Sequence, residues 1–476
     1  MFRSTSKNLL RAIVLGLLFL STLMPVRAAD LPGDVSISVM DNMRHASVRI
    51  ASTVSSIRIN TEESSLVVRA GEEIELYISG TGIEARVDGR RFSSSQIQLV
   101  ASPGAPIRLV SGAEAREYAG SLVVSNERGN LKVVNRVPLE DYVASVIGSE
   151  YGFKDLEGSK AMAVVARTYA LHAIQNGKEL LDNERFQVYR GLSHATAIAR
   201  QAAAETAGQV LSYDNKLIEA VYSASNGGIT ATNSSVWGTR ALPYLQSRKD
   251  KWDTKSPYAN WDWKVDSDDL FRALSSDFNL SVKDIKVGKP GADGRVEDVE
   301  LKGSNGSKSV SGSAFRAAVA RHFGAKSLRS TYFSAKERRG TFTFSGQGFG
   351  HGVGLSQWGA HYMSRDGRSY SQILEFYYSN TQLEHLPSSG SSDQSLIELP
   401  VLSSGSSVSA SANSASLKKV SGETSTPKEK SSTIFSAENT TVLGAEADLS
   451  NIWNTPNKAG SSDKPAKKKP SRRAGW

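Results

Sequence analysis

The chain has 476 residues, of which 22% are charged and none is cysteine, and its formal net charge is +9. Without cysteine there are no disulfides and no thiolate zinc sites, so the fold must be stabilised by its own core. Residues 1 to 28 carry four positive charges and residues 458 to 476 a net six, which leaves the body at −1. A nucleic-acid-binding function of the body is therefore disfavoured, because it lacks a basic footprint.

The first 28 residues have the features of a secretory signal peptide. Arg3, Lys7 and Arg11 precede an apolar run from Ala12 to Met24, and small residues suited to cleavage end at Ala28. The apolar run is shorter than the roughly 20 residues that span a bilayer. We therefore expect an exported chain, located in the periplasm or at the cell wall and extracellular face.

Short β-rich runs alternate with turn residues through most of residues 29 to 119, which predicts a β-rich N-terminal region. Residues 120 to 386 combine sequence patterns typical of helices with patterns typical of strands. A buried helix is expected between a capping Ser159 and Gly177, and a second helix from Ala195 to Ala207. A strand hairpin should follow, turning at Asp214 and Asn215. The predicted class is α+β.

Within the mixed region, residues 266 to 333 have the pattern of a subregion with two helices, DDLFRALSSDF and SAFRAAVARHFG, and an intervening strand, VEDVELKG. We expect it to pack on the main domain. Residues 387 to 476 are rich in serine, lack periodicity and end in KPAKKKPSRR, which is typical of a disordered tail. The basic end is either a polycation attracted to anionic wall polymers or a membrane surface, or an inert terminus.

The segment GQGFGHGVGLSQWGA, residues 346 to 360, has glycine at every second position from Gly346 to Gly354. In an extended strand this pattern leaves one face without side chains, so another backbone or a sugar ring can lie against it. A tightly packed turn is the equally supported structural alternative. The spacing fits neither a dinucleotide-binding nor a phosphate-binding glycine loop.

Several segments share their order with one known family: VPLEDYVASVIGSEYG, LEGSKAMAVVARTYAL, FQVYRG, YSASNGGITATNSSVWG, PYLQS and GQGFGHGVGLSQWGA. From about Gly120 to Leu386 the chain resembles the stage II sporulation protein D (SpoIID) and LytB-like domain family, whose characterised members are peptidoglycan lytic transglycosylases. The sequence has SEYG where many members have AEMP, a departure that concerns substrate preference.

The resemblance implies that Glu150, in the loop before the buried helix, is the catalytic acid. A glutamic acid with a raised pKa can protonate the leaving oxygen between N-acetylmuramic acid (MurNAc) and N-acetylglucosamine (GlcNAc). The same carboxylate can then deprotonate the muramyl 6-hydroxyl, which gives a 1,6-anhydro end without a second carboxylate. Read without the family, a glutamate before a helix is usually a cap or a solvated charge.

Seven further residues are candidate substrate contacts: Arg167, Tyr222, Ser225, Asn226, His351, Gln357 and Trp358. Each has a structural alternative. Arg167, on an apolar helix, would form a buried ion pair with Glu140 or Asp141, and the Ser225 and Asn226 segment would be a strand-ending turn. His351 would hold the glycine loop, and Trp358 would fill the core. Some family members bind zinc through cysteine near Ser225, but serine and asparagine are poor zinc ligands, so we predict neither a metal nor a cofactor.

Two other functions remain open. LytB-like relatives are described as amidase modifiers, so the chain could be a wall-binding protein that stimulates a cell-wall amidase. A hydrolytic muramidase would need a second carboxylate across the cleft, for which Glu140, Asp141 and Glu205 are candidates without a supporting motif. The expected partners are peptidoglycan glycan strands, with stem peptides already removed if the family preference holds, and possibly an amidase.

Overall fold

The computed structural model describes residues 32 to 40 and 46 to 387. The predicted signal peptide and the predicted tail beyond Pro387 lie outside the described residues. Within residues 32 to 40 and 46 to 387, no helix has the length and apolar character needed to cross a membrane. Strands dominate the first part of the described chain and helices alternate with strands in the rest, which confirms the predicted α+β class.

Two antiparallel sheets form the N-terminal region. Their strands are β1 (Asp34–Val39), β2 (Ser47–Ala51), β3 (Ile57–Asn60), β4 (Ser65–Val68), β5 (Ile74–Ser79), β6 (Gly82–Val87), β7 (Arg90–Ser94), β8 (Gln96–Ala101), β9 (Ile107–Ser111), β10 (Glu114–Tyr118), β11 (Ser121–Glu127) and β12 (Asn130–Pro138). One sheet has the order β1-β12-β11-β8-β3-β4 and the other β10-β9-β2-β5-β6-β7. Burial alternates along β8 and β12, so every second side chain enters a core that both sheets share.

Three helices continue this core: α1 (Leu139–Glu150), α2 (Leu156–Gln175) and α3 (Ala197–Glu205). α2 is buried on most of its faces, as its apolar composition predicted. It begins before the predicted Ser159, because the side chain of Asp155 accepts a hydrogen bond from the Gly158 amide at 3.1 Å and caps the helix there. The two-residue strand β13 (Leu180–Leu181) runs parallel to β1.

The predicted hairpin is present as β14 (Gln209–Tyr213) and β15 (Lys216–Leu217). Asp214 and Asn215 both have positive φ, 52° and 57°, as the tight turn requires. The hairpin ends earlier than its sequence pattern implied. The following strand, β16 (Tyr222–Ser223), leaves it and precedes the short helix α4 (Asn233–Trp237).

A second hydrophobic core lies in the segment that follows α4. It contains two three-stranded sheets and the two predicted helices: β17 (Trp261–Asp266), α5 (Ser267–Phe278), β18 (Val282–Val287), β19 (Asp298–Gly303), β20 (Gly306–Ser311), α6 (Gly312–Phe323), β21 (Phe333–Arg338) and β22 (Thr341–Gly346). Asp266 and Ser311 cap the helices, accepting hydrogen bonds from backbone amides of their first turns.

The chain then returns to the first core through β23 (Leu355–Ser356), α7 (Gln357–Arg365), α8 (Tyr370–Tyr377) and β24 (Gln382–His385). β23 pairs in parallel with β16, with Tyr222 opposite Leu355 and Ser223 opposite Ser356. β24 completes the small sheet of β14 and β15. This return carries the glycine-rich segment to the end of α1.

Candidate catalytic site around Glu150

Glu150 is the last residue of α1, and its side chain is fully buried. The sequence-based placement in a loop was wrong, because α1 buries Tyr142, Val146 and other residues and so continues to Glu150. Gly148 permits this packing: a Cβ there would lie 1.6 Å from the carbonyl oxygen of His194. The helix therefore fixes the backbone of the candidate acid more rigidly than a loop would.

The two carboxyl oxygens of Glu150 have different surroundings. Oε1 accepts a hydrogen bond from the Val188 amide at 2.7 Å. Oε2 is buried and makes no hydrogen bond of ordinary geometry within the described part of the chain. An unpartnered buried carboxylate oxygen is costly, whereas a protonated one is tolerated more easily. The geometry thus favours the carboxylic acid with its proton on Oε2.

Burial raises the pKa of Glu150 from 4.5 to about 7. The Val188 amide and the Tyr222 hydroxyl act in the opposite direction, and of the two nearby charged groups Glu184 raises the pKa while Arg190 lowers it. The position at the C-terminal end of α1 also disfavours negative charge, because the helix dipole is negative there. Near neutral pH, Glu150 can therefore both give and take a proton.

Tyr222 lies beside Glu150 and is 6% exposed. Its hydroxyl accepts a hydrogen bond from Nε2 of Gln187 at 3.3 Å. Gln187 Oε1 in turn accepts a hydrogen bond from the Tyr142 hydroxyl at 2.9 Å. Gln187 and Tyr142 were not singled out from the sequence, although both lie in segments that carry the family resemblance, FQVYRG and VPLEDYV. Single residue types gave no sign of a network that forms only in the folded chain.

Gln357 and Trp358 begin α7 next to the end of α1. Gln357 is 1% exposed, and its Nε2 donates to the backbone carbonyl of Glu150 at 2.7 Å. It supports Glu150 from within the protein, and its predicted direct contact with substrate stays a prediction. Trp358 is partly buried and packs edge-on against Phe153, with ring centroids 4.8 Å apart. Its predicted sugar-stacking role stays a proposal.

The glycine-rich segment is not an open strand. Gly348, Gly350, Gly352 and Gly354 have φ between 69° and 102°, a region that side chains disfavour. A Cβ on Gly354 would lie 2.0 Å from the carbonyl oxygen of Val221, and Cβ atoms on the other three would meet protein atoms within 3 Å. Protein therefore covers the positions where side chains would project. The predicted surface for a glycan strand is replaced by the tightly packed alternative.

His351 holds this segment in place. It is 5% exposed, and its Nδ1 accepts a hydrogen bond from the Val353 amide at 3.0 Å. Burial, together with the charge of Arg316, lowers its pKa to about 3, while its bond to the backbone of Tyr222 acts the other way. The neutral ring also borders a cavity of about 690 Å³ that Trp237 and Arg316 help to line. Of its two predicted roles, the geometry supports the loop-holding one.

Ser225 and Asn226 are fully buried, and their side chains form hydrogen bonds with other protein groups. The Ser225 hydroxyl donates to Asp253 at 2.7 Å, and the Asn226 amide donates to Asp250 at 2.7 Å. These hydrogen bonds support the structural alternative, a turn, and the sugar contacts of the two residues stay a prediction. Burial and the neighbouring Asp250 raise the pKa of Asp253 to about 6.

Arg167 forms the ion pair with Glu140 that was its structural alternative, with the arginine fully buried and the glutamate side chain 34% exposed. Its Nε donates to Glu140 Oε1 at 3.0 Å, its Nη2 bonds to Oε2, and Nη1 donates to the carbonyl of Gln209 at 3.0 Å. The side chain has no exposed surface, which favours the structural role, and its substrate contact stays a prediction. Among the carboxylates considered for a hydrolase, Glu140 is thus engaged by Arg167, and Glu205 by Lys160 at 2.6 Å.

Two family models match parts of the chain. A model described as Stage II sporulation protein matches residues 127–213, which contain α1, α2 and Glu150. A model described as a domain of unknown function (DUF8618) matches residues 253–354, which contain the second core and most of the glycine-rich segment. The first match therefore includes α1, and the second ends before α7 begins at Gln357.

Curated relatives match over longer stretches. Stage II sporulation protein D of Bacillus subtilis (strain 168) is 34% identical over 274 residues, covering 52% of this chain and 75% of the relative. The protein of the same name from Bacillus amyloliquefaciens is 32% identical over 305 residues, covering 59% and 84%. A Bacillus subtilis (strain 168) protein named amidase enhancer is 31% identical over 274 residues, covering 48% and 38%. The chain belongs to the stage II sporulation protein D family.

Proposed function

We propose that the chain is an exported peptidoglycan lytic transglycosylase that cleaves the bond between MurNAc and GlcNAc and leaves 1,6-anhydro-MurNAc ends. The observation that carries this proposal is the carboxyl of Glu150, which is desolvated, has a pKa of about 7 and keeps Oε2 unpartnered within the described residues. A general acid that must later act as a base works best when its pKa lies near the operating pH.

In the proposed reaction the proton on Glu150 passes to the glycosidic oxygen as the bond between that oxygen and muramyl C1 breaks. Positive charge develops on the sugar ring, and the carboxylate that forms nearby stabilises it. Glu150 then takes the proton of the muramyl 6-hydroxyl while O6 bonds to C1. The net change is a proton transferred from O6 to the leaving oxygen, so Glu150 ends protonated and no water is consumed.

The site is closed in this structure, because the side chain of Glu150 has no exposed surface. A glycosidic oxygen can reach Oε2 only if part of the cover moves.

An amidase-stimulating role is the second candidate, because one relative is named amidase enhancer. Such a protein would bind glycan strands without cleaving them. The raised pKa of Glu150 favours the enzyme, since a binding protein has no need of a desolvated carboxyl.

Two features of the proposed substrate interaction come from the sequence. We expect the glycan strands to lack stem peptides, and we expect the basic tail to attract anionic wall polymers or lipid headgroups.

The test is digestion of purified glycan strands, with and without stem peptides, followed by mass spectrometry of the products. Anhydro-muramyl ends that disappear in Glu150→Gln and persist in the surface control Glu205→Gln would support the proposal. Reducing ends would indicate a hydrolase and overturn it. Binding without cleavage, together with faster turnover by an added amidase, would favour the accessory role.

A further inference from the structure

The hydroxyls of Tyr142 and Tyr222 are joined by the side-chain amide of Gln187 beneath the proposed acid. All three side chains are buried. The Tyr142 hydroxyl donates to Gln187 Oε1 at 2.9 Å, and Gln187 Nε2 donates to the Tyr222 hydroxyl at 3.3 Å. An amide has separate donor and acceptor ends, so this arrangement gives the network a direction.

The direction determines where the proton of Tyr222 points. Its hydroxyl oxygen receives the hydrogen from Gln187, so its own hydrogen is free to be donated elsewhere. Glu150 Oε1 already accepts from Val188, whereas Oε2 is an acceptor without a partner of ordinary geometry within the described residues. The Tyr222 hydroxyl favours the charged form of Glu150 and so acts against the rise of its pKa.

We propose that Tyr142, Gln187 and Tyr222 form a relay that directs the Tyr222 hydroxyl toward the carboxyl of Glu150 and stabilises the carboxylate left after the acid has given up its proton. This inference rests on the proposed function. Tyr142 and Gln187 are positioning residues that act through Tyr222. The relay transfers no net proton: Glu150 loses its proton to the glycosidic oxygen and regains one from the 6-hydroxyl, while Tyr222 stays neutral.

The surroundings fit this role. Burial raises the pKa of Tyr222 and of Tyr142 well above 10, so both hydroxyls keep their protons over the working pH range. Groups outside the relay that also act on Glu150 include the Val188 amide and the side chains of Glu184, Arg190 and Tyr169. None of these groups takes part in the hydrogen bonds of the Gln187 side chain. The relay therefore supplies a directed donor that the charged neighbours do not.

The test compares Tyr142→Phe with Tyr189→Phe. Tyr189 is an equally buried tyrosine whose ring centroid lies 5.3 Å from that of Tyr142, and its hydroxyl donates to a different side-chain amide, Asn135, at 2.7 Å. Both variants lose one buried hydroxyl and one hydrogen bond. Only Tyr142→Phe releases the amide of Gln187 from its fixed direction.

The first readout is the titration of Glu150, followed by carboxyl ¹³C NMR and assigned by its loss in Glu150→Gln. We expect the pKa of Glu150 to rise by about one pH unit in Tyr142→Phe, because an aligned donor to the carboxylate is lost, and by at least as much in Tyr222→Phe. Tyr189→Phe should titrate as the wild type does. Equal titrations in Tyr142→Phe and Tyr189→Phe would overturn the relay.

The second readout is cleavage of glycan strands as a function of pH. Activity that requires the protonated acid falls as pH rises through its pKa, so the alkaline limb should move to higher pH in Tyr142→Phe and stay in place in Tyr189→Phe. If Tyr142→Phe does not fold, Gln187→Met, which removes the amide and keeps the length, should give the same shift. An unshifted titration in a folded Gln187→Met variant counts against the relay.

The two readouts separate the relay from the function on which it rests. Titration needs no substrate, so a shifted Glu150 in a protein that cleaves no strand would support the relay and refute the transglycosylase. If the wild type cleaves strands but Glu150 titrates unshifted in every variant, the transglycosylase is supported and the relay is refuted.

Discussion

Gln357 donates its side-chain amide to the backbone carbonyl of Glu150 across 2.7 Å, although the two residues lie 207 positions apart. This carbonyl belongs to the last turn of α1, where no helical donor is available. The hydrogen bond therefore both completes α1 and fixes the end that carries the candidate acid. The glycine-rich segment, residues 346 to 360, thus supports Glu150 from the protein interior through Gln357.

Replacing Gln357 with leucine should lower both cleavage and stability. The change leaves the Glu150 carbonyl unpaired and should lower the free energy of unfolding by about 1–3 kcal/mol. Since small displacements of a catalytic group are costly, we expect kcat to fall by about 100-fold. The control is Gln201→Leu, which removes an exposed helical glutamine that bonds to Glu205. Equal kcat values for the two variants would show that Gln357 does not position the acid.

The pH dependence of stability should report the unusual pKa of Glu150. In the folded chain the carboxyl stays protonated up to about pH 7, whereas in the unfolded chain it ionises near 4.5. Unfolding between these values releases a proton, so Glu150 makes the chain less stable as pH rises through this window. Relative to Glu150→Gln, the wild type should lose about 3 kcal/mol between pH 4 and pH 8, at 1.36 kcal/mol per pKa unit.

Chemical denaturation of both proteins at several pH values would measure this difference. The control is Glu205→Gln at the surface, where the hydrogen bond with Lys160 lowers the pKa of Glu205. Glu205 contributes its stability above its unfolded pKa and loses it as pH falls, so its variant should differ from the wild type with the opposite sign. Parallel curves for wild type and Glu150→Gln would contradict the raised pKa.

The sequence predicted the local elements well and the long-range contacts poorly. The apolar stretch of α2 and the Asp214-Asn215 turn depend on nearby residues, so they could be recognised. The pairing of β16 with β23 joins two-residue strands far apart in the chain, and no local pattern announces it. For the same reason the end of α1 was missed: its extension to Glu150 depends on tertiary burial.

The candidate site was predicted in the same uneven way. Glu150 and Tyr222 were named, and the structure brings them together. Ser225 and Asn226 were expected to face substrate, but their partners Asp253 and Asp250 lie more than twenty residues later and could not be assigned from spacing. Gln187 was overlooked because a lone glutamine has no pattern. Its importance depends on the two tyrosines that the fold places on either side of it.

Adding one methyl group to Gly354 should destabilise the fold strongly. Gly354 has a φ of 69°, and a Cβ would lie 2.0 Å from the Val221 carbonyl oxygen, which is backbone and cannot move aside easily. Gly367 has a similar φ of 78° with no atom within 4 Å of its Cβ position, so Gly367→Ala carries the conformational strain alone. We expect a loss of about 1 kcal/mol for Gly367→Ala and a further loss of about 3 kcal/mol or more for Gly354→Ala.

Thermal and chemical denaturation of the two glycine variants would separate strain from close approach. Similar losses of stability in both variants would mean that Gly354 is needed only for its backbone conformation. That result would also reopen the interpretation that the glycine face can admit a ligand.

Removing Arg167 should destabilise the fold rather than impair a substrate contact. Methionine has a similar length but leaves the carbonyl of Gln209 and the one-third-exposed Glu140 without their donor, so Arg167→Met should lower the free energy of unfolding by about 1–3 kcal/mol. Glu140→Leu in the same protein removes the stranded charge and should restore part of that loss. A double-mutant cycle by denaturation measures the coupling between the two side chains.

Lysine at position 167 would keep the charge but lose the two-pronged contact, so Arg167→Lys should be intermediate in stability. The KM for glycan strands is the quantity that distinguishes the structural role from the substrate-binding one. Because Arg167 has no exposed surface, the folded fraction of Arg167→Lys should have the KM of the wild type. A raised KM with unchanged stability would instead place Arg167 in contact with the glycan after the site opens.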